Sequence, residues 1–228
     1  MKYKGILIDI DDTLYDFGYA QNKALEKVSE FLSKVLNIDY EAVVPCYFKA
    51  RQEIGERYGE TPPAHNRLLY FQRMFETLNI DNLQYALKAY NLYWDTFIDN
   101  MIVFEGVYEF FETLSKQKIC FVTDMMADIQ YRKVIKMGFD KYVNLMATCE
   151  ESGKDKPAPE SFILGLKKVG LNADEVCMIG DNFEKDIVGA VNLGIESIWF
   201  DRKNGRQPDN KMVTRVESFK EMAELLRK

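Results

Sequence analysis

The chain has 228 residues, of which 47% are hydrophobic and 29% charged, a balance that excludes both a disordered chain and a membrane-embedded one. The length suits one large domain, or a core domain with a smaller companion. Lys plus Arg number 30 and Asp plus Glu 36, giving a net charge of −6 with no basic block, so a nucleic-acid polymer is not an expected partner. Cys46, Cys120, Cys149 and Cys177 are far apart and form no C-x-x-C pair, which argues against a structural zinc site and for reduced, mostly core cysteines. The N-terminal apolar run ends at Asp9, too soon for a signal peptide, and no stretch approaches the ~20 apolar residues of a spanning helix. A cytoplasmic protein that does not engage membranes is expected, as a monomer or homodimer.

In chain order, residues 5–8 form an apolar, isoleucine-rich run that reads as a buried strand. From about 17 to 100 the texture is charged, aromatic and helical in period. Phe31, Leu32, Val35 and Leu36 share one face of a first helix, and a second is expected over 40–57. Thr61-Pro62-Pro63 marks a break and a new start, and a further helix fits 82–98. Beyond residue 102 the pattern alternates: helix 106–117, strand 118–123, helix 127–137, strand 143–148, helix 159–169, strand 175–180, a helix ending at Leu193, and strand 195–200. Alternation of this kind argues for a parallel sheet covered on both faces. The expected architecture is an α/β, Rossmann-like parallel core formed by 1–15 and 102–228, with an all-helical cap subdomain over 16–101 inserted after the first strand.

Ligands of open parallel sheets bind beyond the carboxyl ends of the strands. The first strand is followed by Asp9-Ile10-Asp11-Asp12-Thr13 and the second ends in Thr123-Asp124. Lys154-Asp155-Lys156-Pro157 follows the third, and Gly180-Asp181, with Asp186 beyond, closes the fourth. Clustered carboxylates repel one another unless a cation lies between them, and their oxygens suit a hard ion such as Mg²⁺. With Lys156 as a fixed positive charge and Thr123 as a hydrogen-bond donor, such a site can neutralise a phosphoryl group in transfer. Asp9 and Asp11, two apart on an extended chain, point the same way, so one can attack phosphorus while the other handles the leaving-group proton.

The ordered set Asp9-x-Asp11-x-Thr13, Thr123, Lys156-Pro157-x-Pro159 and Gly180-Asp181-x-x-x-x-Asp186 resembles the haloacid dehalogenase superfamily, in its phosphatase branch with a type I helical cap. The resemblance covers residues 1–16 and 102–201; the segment between matches only in length and helical character. It implies Asp9 as nucleophile and Asp11 as general acid and then base. Thr123 and Lys156 would hold the phosphoryl oxygens, with Asp124 beside them at the substrate. Mg²⁺ would be held by the Asp9 carboxylate, the Asp11 main-chain carbonyl, Asp181 and Asp186, the last directly or through water. Asp186 could instead be a helix N-terminal charge. Asp12 stands where many members have glycine, and Asp124 where asparagine is common. An acid at position 11 speaks against the dehalogenase branch, because a departing halide needs no proton. For the same reason the Asp11 carboxyl is expected to titrate above an ordinary aspartate.

The implied activity is hydrolysis of a small phosphorylated metabolite, a nucleoside monophosphate or a sugar phosphate, through an aspartyl-phosphate. The alternatives are a phosphomutase of the same fold and a non-enzymatic ligand-binding relative. Within the cap, His65 reads as a surface or capping residue. Arg67 and Arg73, with Tyr70, either meet an anionic substrate or form helix-surface salt bridges. The aromatic stretch 85–97 reads as cap core, and Met125 and Met126 either line the substrate chamber or pack a loop.

Overall fold

The computed structural model describes residues 2–80, 82–202 and 205–227. Strand β1 (Gly5–Ile8) is buried along its whole length, with β2 (Lys118–Thr123) paired on one side and β4 (Val176–Gly180) on the other. Strands β3 (Leu145–Thr148), β5 (Glu196–Phe200) and β6 (Val213–Val216) complete a six-stranded parallel sheet in the order β3-β2-β1-β4-β5-β6. Side chains alternate across it. Ile6, Ile8, Phe121 and Ile179 face one layer, while Leu7, Val122 and Met178 face the other with Phe162 and Val169. The chain runs outward from β1 through β2 to β3, then re-enters on the far side of β1 at β4. That reversal opens a crevice between the carboxyl ends of β1 and β4.

The insertion after β1 holds four long helices: α1 (Phe17–Leu36), α2 (Tyr40–Tyr58), α3 (Arg67–Thr77) and α4 (Asn82–Asp99). Asp16, Asp39 and Asn66 accept N–H groups of the first turns of α1, α2 and α3, satisfying donors that helix starts leave open. Tyr47, Phe71, Tyr93, Trp94 and Phe97 form a ring-on-ring cap interior, as the aromatic stretch leads one to expect. The two connections to the core run side by side: Asp16 N–H donates to Ile102 C=O and Phe104 N–H to Leu14 C=O.

In the core, α5 (Val107–Thr113), α6 (Ala127–Lys136), the single turn α7 (Cys149–Ser152) and α8 (Pro159–Val169) link the strands. Four differences from the sequence reading stand out. The helix expected over 106–117 ends at Thr113, and the strand expected from 143 begins at Leu145, after a tight turn over Phe139–Lys141. The helix expected up to Leu193 is a wide π-type turn, Phe183–Val188, running into a short α9 (Gly189–Val191). The structure also adds β6 and α10 (Phe219–Arg227), where the sequence reading assigned nothing. Helix α10 buries Phe219, Met222, Ala223 and Leu226, an i, i+3, i+4, i+7 stripe. All four cysteines are free, and no helix among the described residues is long and apolar enough to cross a membrane.

Phe111 joins α5 to the sheet: its fully buried ring meets Phe110, Phe121, Phe139 and Tyr142. Phe111→Ala is expected to lower unfolding free energy by about 3–5 kcal/mol, as aromatic-to-alanine cavities do, read from urea denaturation.

Candidate active site

Asp9 leaves β1 with its N–H donated to Ile179 C=O (2.9 Å), so its backbone is held by the neighbouring strand. Thr13 ties the two strand ends together. Its hydroxyl lies 3.0 Å from Asp9 Oδ2 and accepts the Asp181 N–H at 3.1 Å. Asp12, between them, has φ of 61°, a left-handed conformation in which glycine is easiest and aspartate is among the tolerated residues. Its carboxylate accepts the Phe17 N–H (3.2 Å), which seats the start of α1.

Lys156 is buried and spends all three ammonium donors: on Asp9 Oδ1 (2.6 Å), Asp186 Oδ1 (2.6 Å) and Val122 C=O (3.0 Å). Asp186 Oδ2 accepts the Asn182 N–H (3.0 Å). It packs where any side chain at 180 would be, since a Cβ on Gly180 would clash with the Asp186 carboxylate. One carboxylate oxygen from each of Asp9, Asp181 and Asp186 lies within 4.8 Å of the others. Asp124 holds the Lys156 N–H (2.8 Å) and Lys185 Nζ (3.0 Å), so its carboxylate props the lysine loop. Thr123, buried at the end of β2, receives Gln130 Nε2 at 2.5 Å. Asp9, Asp11, Thr123, Asp124, Lys156, Asp181 and Asp186 thus all line one pocket of about 210 Å³.

The electrostatics are lopsided, with three carboxylates facing one buried ammonium. Burial, reinforced by Asp186, Asp181 and Asp11, pushes the Asp9 carboxyl well above its ordinary range despite Lys156. Burial and Asp186 push Asp181 up to about 7. Burial also raises Asp186 against the pull of Lys156, and the carboxylates in turn hold the Lys156 ammonium far above its usual range. Groups held this reluctantly as anions lack a counter-charge, and an all-oxygen donor set of this kind suits Mg²⁺.

Asp11 departs from expectation. Burial would raise it, but Lys133 Nζ at 2.8 Å, the Tyr15 hydroxyl and the field of Arg67 outweigh that and hold it below its ordinary value. Gln130 Nε2 adds a third contact at 3.1 Å. The carboxyl expected to hold a proton is therefore an ion in this arrangement, because a lysine of α6 reaches it from behind. Lys133 and Gln130 carry no motif. Their only trace in the sequence is that they share a helical stripe with Ile129 and Val134.

The cap reaches the same pocket through Phe17, Arg51, His65 and Arg67. His65 Nε2 meets Asp155 Oδ2 at 2.6 Å, a cap-to-core contact next to Lys156. Arg73 pairs with Glu53 and Glu76, the salt-bridge alternative, while Arg67 is buried against the pocket. Met125 lines the pocket, and Met126 lines an adjoining cavity.

A model of the haloacid dehalogenase-like hydrolases matches residues 3–194. The chain belongs to that family. Ribulose-1,5-bisphosphate 5-phosphatase from Halopiger xanaduensis is 32% identical over 203 residues, covering 86% of this chain and 84% of the relative. Glyceraldehyde 3-phosphate phosphatase from Methanocaldococcus jannaschii is 29% identical, covering 86% and 83%. Among solved structures, the putative HAD-hydrolase YfnB from Bacillus subtilis, bound to magnesium, superposes with a TM-score of 0.75 at 19% identity over the whole of both chains. The protein is a hydrolase of phosphate esters in this family, and its aspartate cluster offers an all-oxygen donor set that fits Mg²⁺.

Two outcomes follow from the cluster. Gly180→Ala displaces Asp186 and is expected to weaken Mg²⁺ binding by about 10-fold or more in calorimetric titration. The raised Asp181 pKa favours the metal-free fold when the group is protonated, a contribution present at low pH and lost as pH rises through about 7. Mg²⁺ binds the ionised form. Its gain in melting temperature is therefore expected to be larger at pH 8 than at pH 6, and equal gains would contradict this.

Proposed function

We propose that this hydrolase is a phosphomonoesterase that releases inorganic phosphate from a small metabolite, a sugar phosphate or nucleoside monophosphate, through a covalent intermediate on Asp9. The observation that carries the reading is Lys156 bridging Asp9 and Asp186 at 2.6 Å each, with Thr123 beside them at the mouth of β2. Asp9 Oδ attacks phosphorus, and the bond from phosphorus to the alcohol oxygen breaks. Asp11 gives its proton to that oxygen, then takes one from the water that cleaves the aspartyl-phosphate. Lys156 offers its positive charge, and Thr123 a hydroxyl donor, to the phosphoryl oxygens as charge builds on them. Bound Mg²⁺ supplies charge neutralisation and keeps the Asp9 carboxylate ionised. The cap residues on the pocket bring the alcohol portion of the substrate out of bulk water. The names of the two curated relatives support a small phosphorylated sugar as the substrate class.

Asp9→Asn is expected to abolish phosphate release in a screen of phosphorylated metabolites, with at least about a 10³-fold loss of kcat. Accumulation of an isomeric phosphate ester without free phosphate would favour a mutase instead. Asp11 must carry a proton once substrate is bound, so kcat is expected to fall on the alkaline side of its pKa in the complex. Lys133→Met removes the cation that holds this pKa down, and it is expected to move the alkaline limb upward by about one unit, with Lys133→Arg restoring it. An unmoved limb would take the proton role from Asp11.

A further inference from the structure

We infer that the substrate carries a second anionic group, a phosphate or carboxylate remote from the scissile bond, received by Arg67 of the cap. The inference rests on the phosphatase reading and adds the substrate's far end. Arg67 opens α3 and is 4% exposed, the one buried arginine among the described residues. It lines the pocket that holds Asp9, Lys156 and Asp181. Its guanidinium sits among the rings of Phe17, Tyr70 and Trp94, at 6.0, 5.4 and 5.4 Å from their centroids. Those rings fix its position, but none of them is an anion.

The hydrogen bonding of Arg67 is incomplete. Nη1 donates to His65 C=O (2.8 Å) and makes a weak contact with Met125 Sδ (3.5 Å). Nε is buried and has no acceptor. Among the described residues no carboxylate lies within 4.0 Å of this guanidinium, whereas Arg73, Arg132, Arg202 and Arg215 each have one. An unpaired buried charge is strongly destabilising, so an unpaired guanidinium beside a substrate chamber is a poor structural strut. Its planar fork of N–H donors matches a carboxylate or a phosphate. Asp11 is not the missing partner, since Lys133, Tyr15 and Gln130 already hold its oxygens. The scissile phosphoryl group is met on the core side by the Lys156 charge and the Thr123 hydroxyl. Arg51 of α2 lines the same pocket and has no ion-pair partner among the described residues, which gives the cap side a second positive charge.

The test is a comparison of substrates that share a primary phosphate and differ at the far end: a sugar bisphosphate, a phosphorylated sugar acid and a sugar monophosphate with a neutral tail. The wild-type protein is expected to favour one or both anionic tails by about 10–100-fold in kcat/KM, as charge-assisted bonds allow. The arm that gains more identifies the second anion as phosphate or carboxylate. Arg67→Met is expected to collapse that ratio to within about threefold, mainly through KM, and Arg67→Lys to recover part of it. Melting temperature and Mg²⁺ binding show whether each variant is folded, and the wild-type comparison needs no variant. Equal kcat/KM for neutral and anionic tails in the wild type would overturn the inference, as would a preference that survives Arg67→Met. Phosphate release that survives Asp9→Asn would fail the phosphatase reading itself. Release that depends on Asp9 but ignores the tail would fail only the role of Arg67.

Discussion

Two buried carboxylates paired with one buried ammonium, and a third, half-buried carboxylate crowded beside them, set the terms for everything at the carboxyl edge of this sheet. Left alone, Asp9, Asp181 and Asp186 would repel one another or take up protons, and burial pushes all three in that direction. The fold overrides this with backbone and side-chain restraints. Thr13 links the two strand ends, the Asn182 N–H and the bare Gly180 backbone seat Asp186, and Val122 anchors Lys156. A site that crowds negative charge in this way is organised for a divalent cation. The parallel topology makes the crowding possible, because β1 and β4 are neighbours in space although the whole insertion and half the core lie between them in sequence.

Asp11 belongs to a different electrostatic neighbourhood from Asp9. Its lysine comes from α6, and that lysine is caged by Tyr15, Phe17, Trp94 and Phe97. Phe17 opens α1, while Trp94 and Phe97 lie on α4, so the charge state of Asp11 is coupled to the seating of the cap helices. Burial lowers the Lys133 pKa and Asp11 raises it, which makes the pair a mutual arrangement. Proton donation by Asp11 requires that it give up at least part of this contact.

Residues at strand ends were legible in the sequence because a short apolar run that stops at a carboxylate declares both the strand and its edge. This is how Asp9, Thr123 and Asp181 can be found without coordinates, and why the helical insertion stands out as a change of texture. Lys133 and Gln130 were not legible in that way. They are polar residues on a helix face that periodicity assigns to the core, and only the tertiary partner, Asp11, explains them. Arg67 and Arg73 show the same limit. Six residues apart with the same chemistry, they differ only in that Glu53 lies within reach of one and a substrate pocket within reach of the other. The expectation of a raised Asp11 pKa followed from its proposed task, whereas its value in the fold follows from its neighbours. Strand β6 escaped because four residues at a sheet edge, half of them polar, carry little periodic signal.

The central claim is that Asp9 accepts a phosphoryl group in the presence of Mg²⁺. Beryllofluoride mimics a carboxyl-bound phosphoryl group, and its fluorine resonance separates bound from free. A bound signal is predicted for the wild-type protein with Mg²⁺ and for neither Asp9→Asn nor the metal-free protein. The same bound signal in Asp9→Asn would contradict the account.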